Sequence, residues 1–356
     1  MKLSIQKMKD VKIEFRKPMY PVNPELMDYL EKNNRITNIR FYYDDLLRFS
    51  DYTPVLDKEG KDTLWLSVYY PELEHDEIEA NLNKIYTLLH SDGDVEVLPF
   101  LKVDSIHFCT FGNSKPFRIR VRNILNDNYT NFYIKKADAS RIYGLELEEI
   151  LSPNRINFLL YKDTLIEEHI LGIPGDVFID QHLENCNPLE KAQIAKEFVK
   201  FNERCMIGLL GDMRSYNYVI IPTHDFDQVV YRIRAIDFDQ QCYEGNLKIY
   251  LPQYFKENIK MVELVQEKLK PNSIEQYKKE VRSAIAKRAS TDSRLEHLIA
   301  IMKKDTISKP ESVEELRTAL LKLTYNSQFK RCKTMGEILE AGLNFVMRNY
   351  RNSNIR

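Results

Sequence analysis

Hydrophobic and polar residues alternate with a period of two over residues 62–70, where Leu64, Leu66, Val68 and Tyr70 share a face. That pattern predicts a strand, and Pro71 ends it. Over residues 74–90 the period changes. Ile78, Leu82, Ile85 and Leu89 recur at helical spacing, and Ser91-Asp92-Gly93-Asp94 stops the helix. Three further strands are predicted at 105–111, 117–123 and 131–137. The turns between them are Gly112-Asn113-Ser114-Lys115-Pro116 and Asn126-Asp127-Asn128. In the second of these strands Phe117, Ile119 and Val121 alternate with Arg118, Arg120 and Arg122. A helix over 139–151 follows and is halted by Ser152-Pro153. Strand-like runs at 156–161 and 164–171 come next, and Gly172 and Gly175 break the pattern.

The second half opens with a long helix from Asn187-Pro188 to about Gly208. Asn187 is the expected N-cap, Pro188 the first helical residue, and Glu190 completes a capping box. Ile194, Phe198, Phe201 and Cys205 mark its apolar face. Strands at 218–221 and 229–236 flank a turn at 222–227, and from Tyr254 onward the pattern is helical.

Composition narrows the class. The chain has 356 residues, 43% hydrophobic and 29% charged, enough for a globular core in one two-lobed domain or in two or three domains. No apolar run is long enough to span a bilayer, and residues 1–10 carry charges without an apolar signal region. The five cysteines lack Cys-x-x-Cys spacing, which disfavours disulfide frameworks and zinc knuckles and points to a reducing, cytoplasmic setting. The seven histidines show no zinc-enzyme spacing, and no Gly-x-Ser-x-Gly elbow is present. A net charge of −1 gives no reason to expect nucleic acid or a membrane surface as partner. Residues 303–356 hold eleven basic and six acidic residues; this is either a solvated helical face or a surface for an acidic protein partner.

Two short segments carry candidate chemistry. Leu210-Gly211-Asp212-Met213-Arg214-Ser215-Tyr216-Asn217 follows the long helix, and Ala235-Ile236-Asp237-Phe238-Asp239 ends the strand hairpin. Asn217 and Asp237 offer hard oxygen donors that suit Mg2+, and the hairpin brings them side by side. Phosphoryl transfer needs little more than a metal-bound triphosphate, a positioned hydroxyl and cations over the developing charge.

The spacing Asp-x4-Asn, a hairpin and then Ile-Asp-Phe resembles the catalytic loop and metal-binding motif of the protein-kinase-like superfamily. Its nearest likeness is to the aminoglycoside-phosphotransferase and toxin-type serine kinase branches. The resemblance covers about residues 105–250. It implies an α+β, two-lobed protein-kinase-like fold, with a small antiparallel-sheet N-lobe at 105–171 and a mainly helical C-lobe at 172–356. Residues 1–104 then form an N-terminal α/β extension. It also implies ATP and Mg2+ as cofactors and a hydroxyl-bearing acceptor, either a small molecule or a protein Ser/Thr. Asp212 would position or deprotonate the acceptor, Arg214 would steady the transferring charge, and Asn217, Asp237 and Asp239 would meet the metal. Lys135 or Lys136 would hold phosphate, with Tyr-Ile-Lys matching the family pattern at Lys135. Glu146 would orient that lysine; it falls inside the apolar face made by Ile142, Tyr143, Leu147, Ile150 and Leu151, where a charge needs a partner. Backbone groups from Glu168 to Ile170 would meet adenine, and Ser114 and Lys115 would cover phosphate.

The turn at 112–116 holds a single Gly, and Leu210 stands where the family usually has His. Two alternatives accompany the kinase reading, the first on these departures and the second because the sequence does not fix the orientation of the nucleotide. One is a nucleotide-binding pseudokinase acting as a regulatory module, and the other is an enzyme transferring AMP on the same fold.

Overall fold

The computed structural model describes residues 17–353 apart from 112 and 227. The expectation of no signal region at 1–10 thus lies outside the described residues, as do Gly112 and Asp227 of the two hairpin turns. The protein is α+β, and its described residues divide into two compact units, one built from 17–138 with 156–169 and one from 139–155 with 170–353.

The first unit is organised by a seven-stranded antiparallel sheet. Its elements are α1 (Pro24–Lys32), β1 (Asp51–Leu56), β2 (Asp62–Tyr69), α2 (Glu72–His90), β3 (Leu101–Cys109), β4 (Phe117–Asn123), β5 (Asn128–Lys136), β6 (Phe158–Tyr161) and β7 (Thr164–Glu168). The strand order is β1-β2-β3-β4-β5-β7-β6. The alternation in β4 explains the layering. Phe117 pairs with Ile134 and Ile119 with Phe132, and all four are buried under α2, whose Ile78, Leu82 and Ile85 complete the core. The partners on the opposite face form a row across the sheet: His107, Arg118, Tyr133 and Glu167 face one another from β3, β4, β5 and β7.

The sheet crosses the boundary expected between residues 104 and 105. Strands β1 and β2 belong to it, and Phe41, Tyr43 and Leu46 join the same core as Ile119 and Ile166. Strand β3 starts at Leu101, four residues before the predicted start, because Leu101 and Val103 already pair with β4. Both outer strands are blunted. On β1, Pro54 sits opposite Leu66 and has no N–H to offer. On β6, Leu160 N–H donates to the Arg35 carbonyl at 2.7 Å and its own carbonyl accepts from Thr37 N–H at 3.0 Å.

The second unit is mainly helical. It contains α3 (Ala139–Leu151), β8 (Ile173–Pro174), α4 (Gly175–Val177), α5 (Pro188–Gly208), β9 (Tyr218–Asp225), β10 (Gln228–Ala235), α6 (Ile259–Lys268), α7 (Pro271–Thr291), α8 (Arg294–Lys304), α9 (Pro310–Thr324) and α10 (Met335–Ser353). Helix α5 begins with the predicted capping box. Asn187 Oδ1 accepts from the N–H groups of Leu189 and Glu190, and Glu190 Oε2 accepts from Asn187 N–H. Strands β8, β9 and β10 form a small antiparallel sheet. No helix among the described residues is long and apolar enough to cross a membrane.

Candidate active site

The Gly-Asp segment begins where α5 ends. Leu209 takes a left-handed conformation (φ 52°) at the helix C-cap, and its carbonyl accepts from Cys242 N–H at 2.9 Å. Gly211 N–H donates to the Gln240 carbonyl at 3.2 Å. A Cβ on Gly211 would lie 3.0 Å from that carbonyl oxygen, so the residue has to be small. Asp212 is itself left-handed (φ 58°), a conformation that Asp tolerates better than most residues.

Two hydrogen bonds hold that loop against the hairpin. Asn217 Nδ2 donates to the Asp212 carbonyl at 2.8 Å, and Ile236 N–H donates to the Asn217 carbonyl at 3.0 Å. The register of β9 and β10 sets Ala235 opposite Tyr218, so Asp237 emerges next to Asn217. Asp212, Arg214, Asn217, Asp237 and Asp239 therefore belong to one compact unit and to one hydrogen-bonded neighbourhood.

The charges there are interlocked. Arg214 Nε donates to Asp212 Oδ1 at 2.8 Å, and its NH1 meets Glu257 Oε1 at 2.7 Å. The Arg214 guanidinium lies 5.0 Å from the centre of the Phe255 ring. Burial pushes the Asp212 carboxyl up to about 7, and the negative charges of Asp237 and Glu257 push the same way. Arg214 opposes that rise but does not cancel it. Asp212 is thus a carboxylate whose affinity for a proton is matched to neutral pH.

Asp237 and Asp239 share a partner. Arg141 NH1, from the first turn of α3, lies 2.6 Å from Asp237 Oδ1 and 2.8 Å from Asp239 Oδ1. Asp239 N–H also donates to Asp237 Oδ1 at 3.1 Å. Among the described residues, no group of three or more His, Cys, Asp or Glu side chains converges as a metal site. The donor chemistry nevertheless suits a hard cation. The Asn217 amide commits its nitrogen to Asp212, which turns the oxygen end away from that carbonyl, and Asp237 stays about one-third exposed.

The remaining candidates sit on other elements. Period-two alternation puts Lys135 and Lys136 on opposite faces of β5. Lys135 is buried, and its Nζ lies 2.9 Å from Glu167 Oε2 on β7. Lys136 is half-buried and pairs with Asp44 at 3.1 Å. Ser114 and Lys115 lie in the β3–β4 turn, where the Lys115 carbonyl accepts from the Tyr43 hydroxyl at 2.8 Å. Glu168 closes β7, its N–H donating to the Asn157 carbonyl at 3.0 Å. Glu146 is fully buried on α3, and Ile170 is buried in the helical unit. Glu146 belongs to the other compact unit, and within the sheet the carboxylate at Lys135 is that of Glu167.

Three participants escaped the sequence reading: Arg141, Glu167 and Glu257. For Glu167 a signal existed. It directly follows the buried pair Leu165-Ile166 on the same strand, where a charge needs a partner. Arg141 and Glu257 lie far from their partners in sequence and had no such mark. Compared with family models and with curated proteins, the chain matches none.

Proposed function

We propose that the protein is a phosphotransferase of the two-lobed, protein-kinase-like type, moving a phosphoryl group from ATP to a hydroxyl acceptor with Mg2+. One observation carries the reading. Asp212 and Asn217 are joined by a 2.8 Å hydrogen bond, and the β9–β10 hairpin sets Asp237 beside Asn217. This combines a proton acceptor of near-neutral affinity with hard oxygen donors.

In this reading Asp212 accepts the proton of the acceptor hydroxyl. Arg214, fixed between Asp212 and Glu257, keeps a positive charge over the region where negative charge develops. Asn217 and Asp237 would hold Mg2+ through oxygen, and Asp239 would hold it or support Asp237. When bound, the metal would neutralise phosphate charge and orient the triphosphate. Lys135, paired with Glu167 at 2.9 Å, would contribute a second cation for phosphate.

Arg141 favours one alternative. A guanidinium already seated on Asp237 and Asp239 is also what a nucleotide-binding module without turnover would carry. The AMP-transferring alternative keeps the same residues and differs in which phosphorus is attacked.

The test is to incubate the full chain with ATP and Mg2+ and to follow the melting temperature and the mass of the products. Binding raises the melting temperature. A gain of one phosphate on an acceptor supports the proposal, and a gain of AMP supports the transferase alternative. Binding without product supports the regulatory module. No shift at millimolar ATP overturns all three.

A further inference from the structure

We propose that Arg141 is a built-in cation which holds the Asp237–Asp239 carboxylate pair and has to leave it before a divalent metal can bind there. This rests on the reading of Asp237 as a metal ligand. A single nitrogen, NH1, lies within 2.8 Å of an oxygen on each carboxylate. The pair is compact, because Asp237 Oδ1 also accepts from Asp239 N–H. Two carboxylates drawn this close repel one another unless a cation stands between them. The Arg141 side chain is 2% exposed and that of Asp239 17%, so solvent reaches the pair mainly at Asp237 and the guanidinium supplies the charge on the inner side.

The position of Arg141 follows from how α3 is docked. Ser140 Oγ donates to the Gln241 carbonyl at 2.6 Å. Gly144 follows Arg141 by one helical turn and lies against Phe238, where a Cβ on Gly144 would come 3.0 Å from the Phe238 Cβ. The missing side chain lets α3 approach the Asp-Phe-Asp segment closely enough for Arg141 to reach both carboxylates. Ser140 and Gly144 fix the backbone, and Arg141 delivers the charge.

A divalent ion needs the same carboxylate oxygens and carries the same sign as the guanidinium. Both cannot occupy Asp237 Oδ1 and Asp239 Oδ1 together without a large Coulomb penalty. Metal entry and Arg141 contact are therefore alternatives. Arg141 is a positioning residue: it keeps the carboxylate pair assembled in the metal-free protein and lowers its affinity for free metal.

Mn2+ titrated calorimetrically into the full chain without nucleotide tests this. Wild type, Arg141→Gln and Arg141→Lys are compared, and melting temperatures are read in EDTA and in Mn2+. The Gln variant should bind Mn2+ about ten-fold more tightly than wild type, or better. Its melting temperature should fall in EDTA and recover with Mn2+ at concentrations that leave wild type unmoved. The Lys variant should lie between the two, and it carries the comparison if the Gln variant fails to fold. Equal Mn2+ affinity in wild type and in a folded variant overturns the role of Arg141. Adding Asp237→Asn to the tight-binding variant separates that failure from a deeper one. If tight binding survives, or if no protein binds Mn2+, the metal-site reading falls as well.

Discussion

The side-chain amide of Asn217 is tied to the backbone carbonyl of Asp212, with Nδ2 donating to O at 2.8 Å across five residues of chain. The bond holds a left-handed aspartate in place at the head of a hairpin. Replacing Asn217 by Ala leaves that carbonyl with only its second donor, Arg214 N–H at 2.8 Å, and should cost about 1 kcal/mol in urea unfolding. Asn217→Asp should cost more, because it removes the donor and adds a carboxylate next to Asp212. If Asn217→Asp unfolds at the same urea concentration as wild type, the bond does not hold the loop.

Asp212→Ala should reduce turnover by about two orders of magnitude or more while leaving ATP-dependent stabilisation nearly intact, as expected for loss of a positioned base. Steady-state kinetics and thermal shift on the same preparation check both halves. Full activity in this variant would remove Asp212 from the mechanism.

The same residue predicts a pH effect with a definite sign. The Asp212 carboxyl titrates near 3.8 when exposed and near 7 when folded. The folded protein therefore holds this proton more tightly than the unfolded chain does. The group's contribution to stability is fully present below about pH 3.8 and is lost as pH rises toward 7. With EDTA present, the stability of wild type relative to Asp212→Asn should decline over that window and level off above it. Urea unfolding at several pH values measures it, and a constant difference would show that Asp212 is not buried as described.

Lys135 and Glu167 form a buried pair at 2.9 Å. Removing either charge alone takes from the other its buried ion-pair partner, which should cost about 3–5 kcal/mol. Removing both, as Lys135→Met with Glu167→Gln, should cost less than the sum of the two single changes. A double-mutant cycle by chemical unfolding reads the coupling, and strictly additive costs would show that the pair does not interact. The single change Lys135→Met should also weaken ATP binding if this lysine holds phosphate.

Much of the fold was legible because period-two and period-3.6 patterns are local. Strand β4 and helix α3 fall where the alternation and the Ser152-Pro153 stop put them, and the α5 capping box is written in adjacent residues. The sheet edge was not legible. Strand β1 carries mostly exposed residues, so burial left no imprint on its sequence, and nothing local says that it joins β3, β4 and β5 in one sheet. The candidate site divides the same way. Asp212, Asn217 and Asp237 announce themselves by spacing along the chain. Arg141 reaches Asp237 across 96 residues, and only the fold brings them together. The choice between Lys135 and Lys136 needed to know which face of β5 meets Glu167 and which meets Asp44.

The blunted outer strands of the large sheet have a consequence for the behaviour of the chain in concentrated solution. A sheet grows by recruiting another backbone along an outer strand, and that recruitment needs a continuous series of free donors and acceptors. At one margin Pro54 interrupts the series, and at the other the segment around Arg35 and Thr37 has already taken the groups of Leu160. The sheet is thus terminated on both sides by its own chain. Strand addition at the β6 margin would first require residues 35–37 to peel away, which makes the attachment of that short segment a safeguard against fibrous assembly on that side.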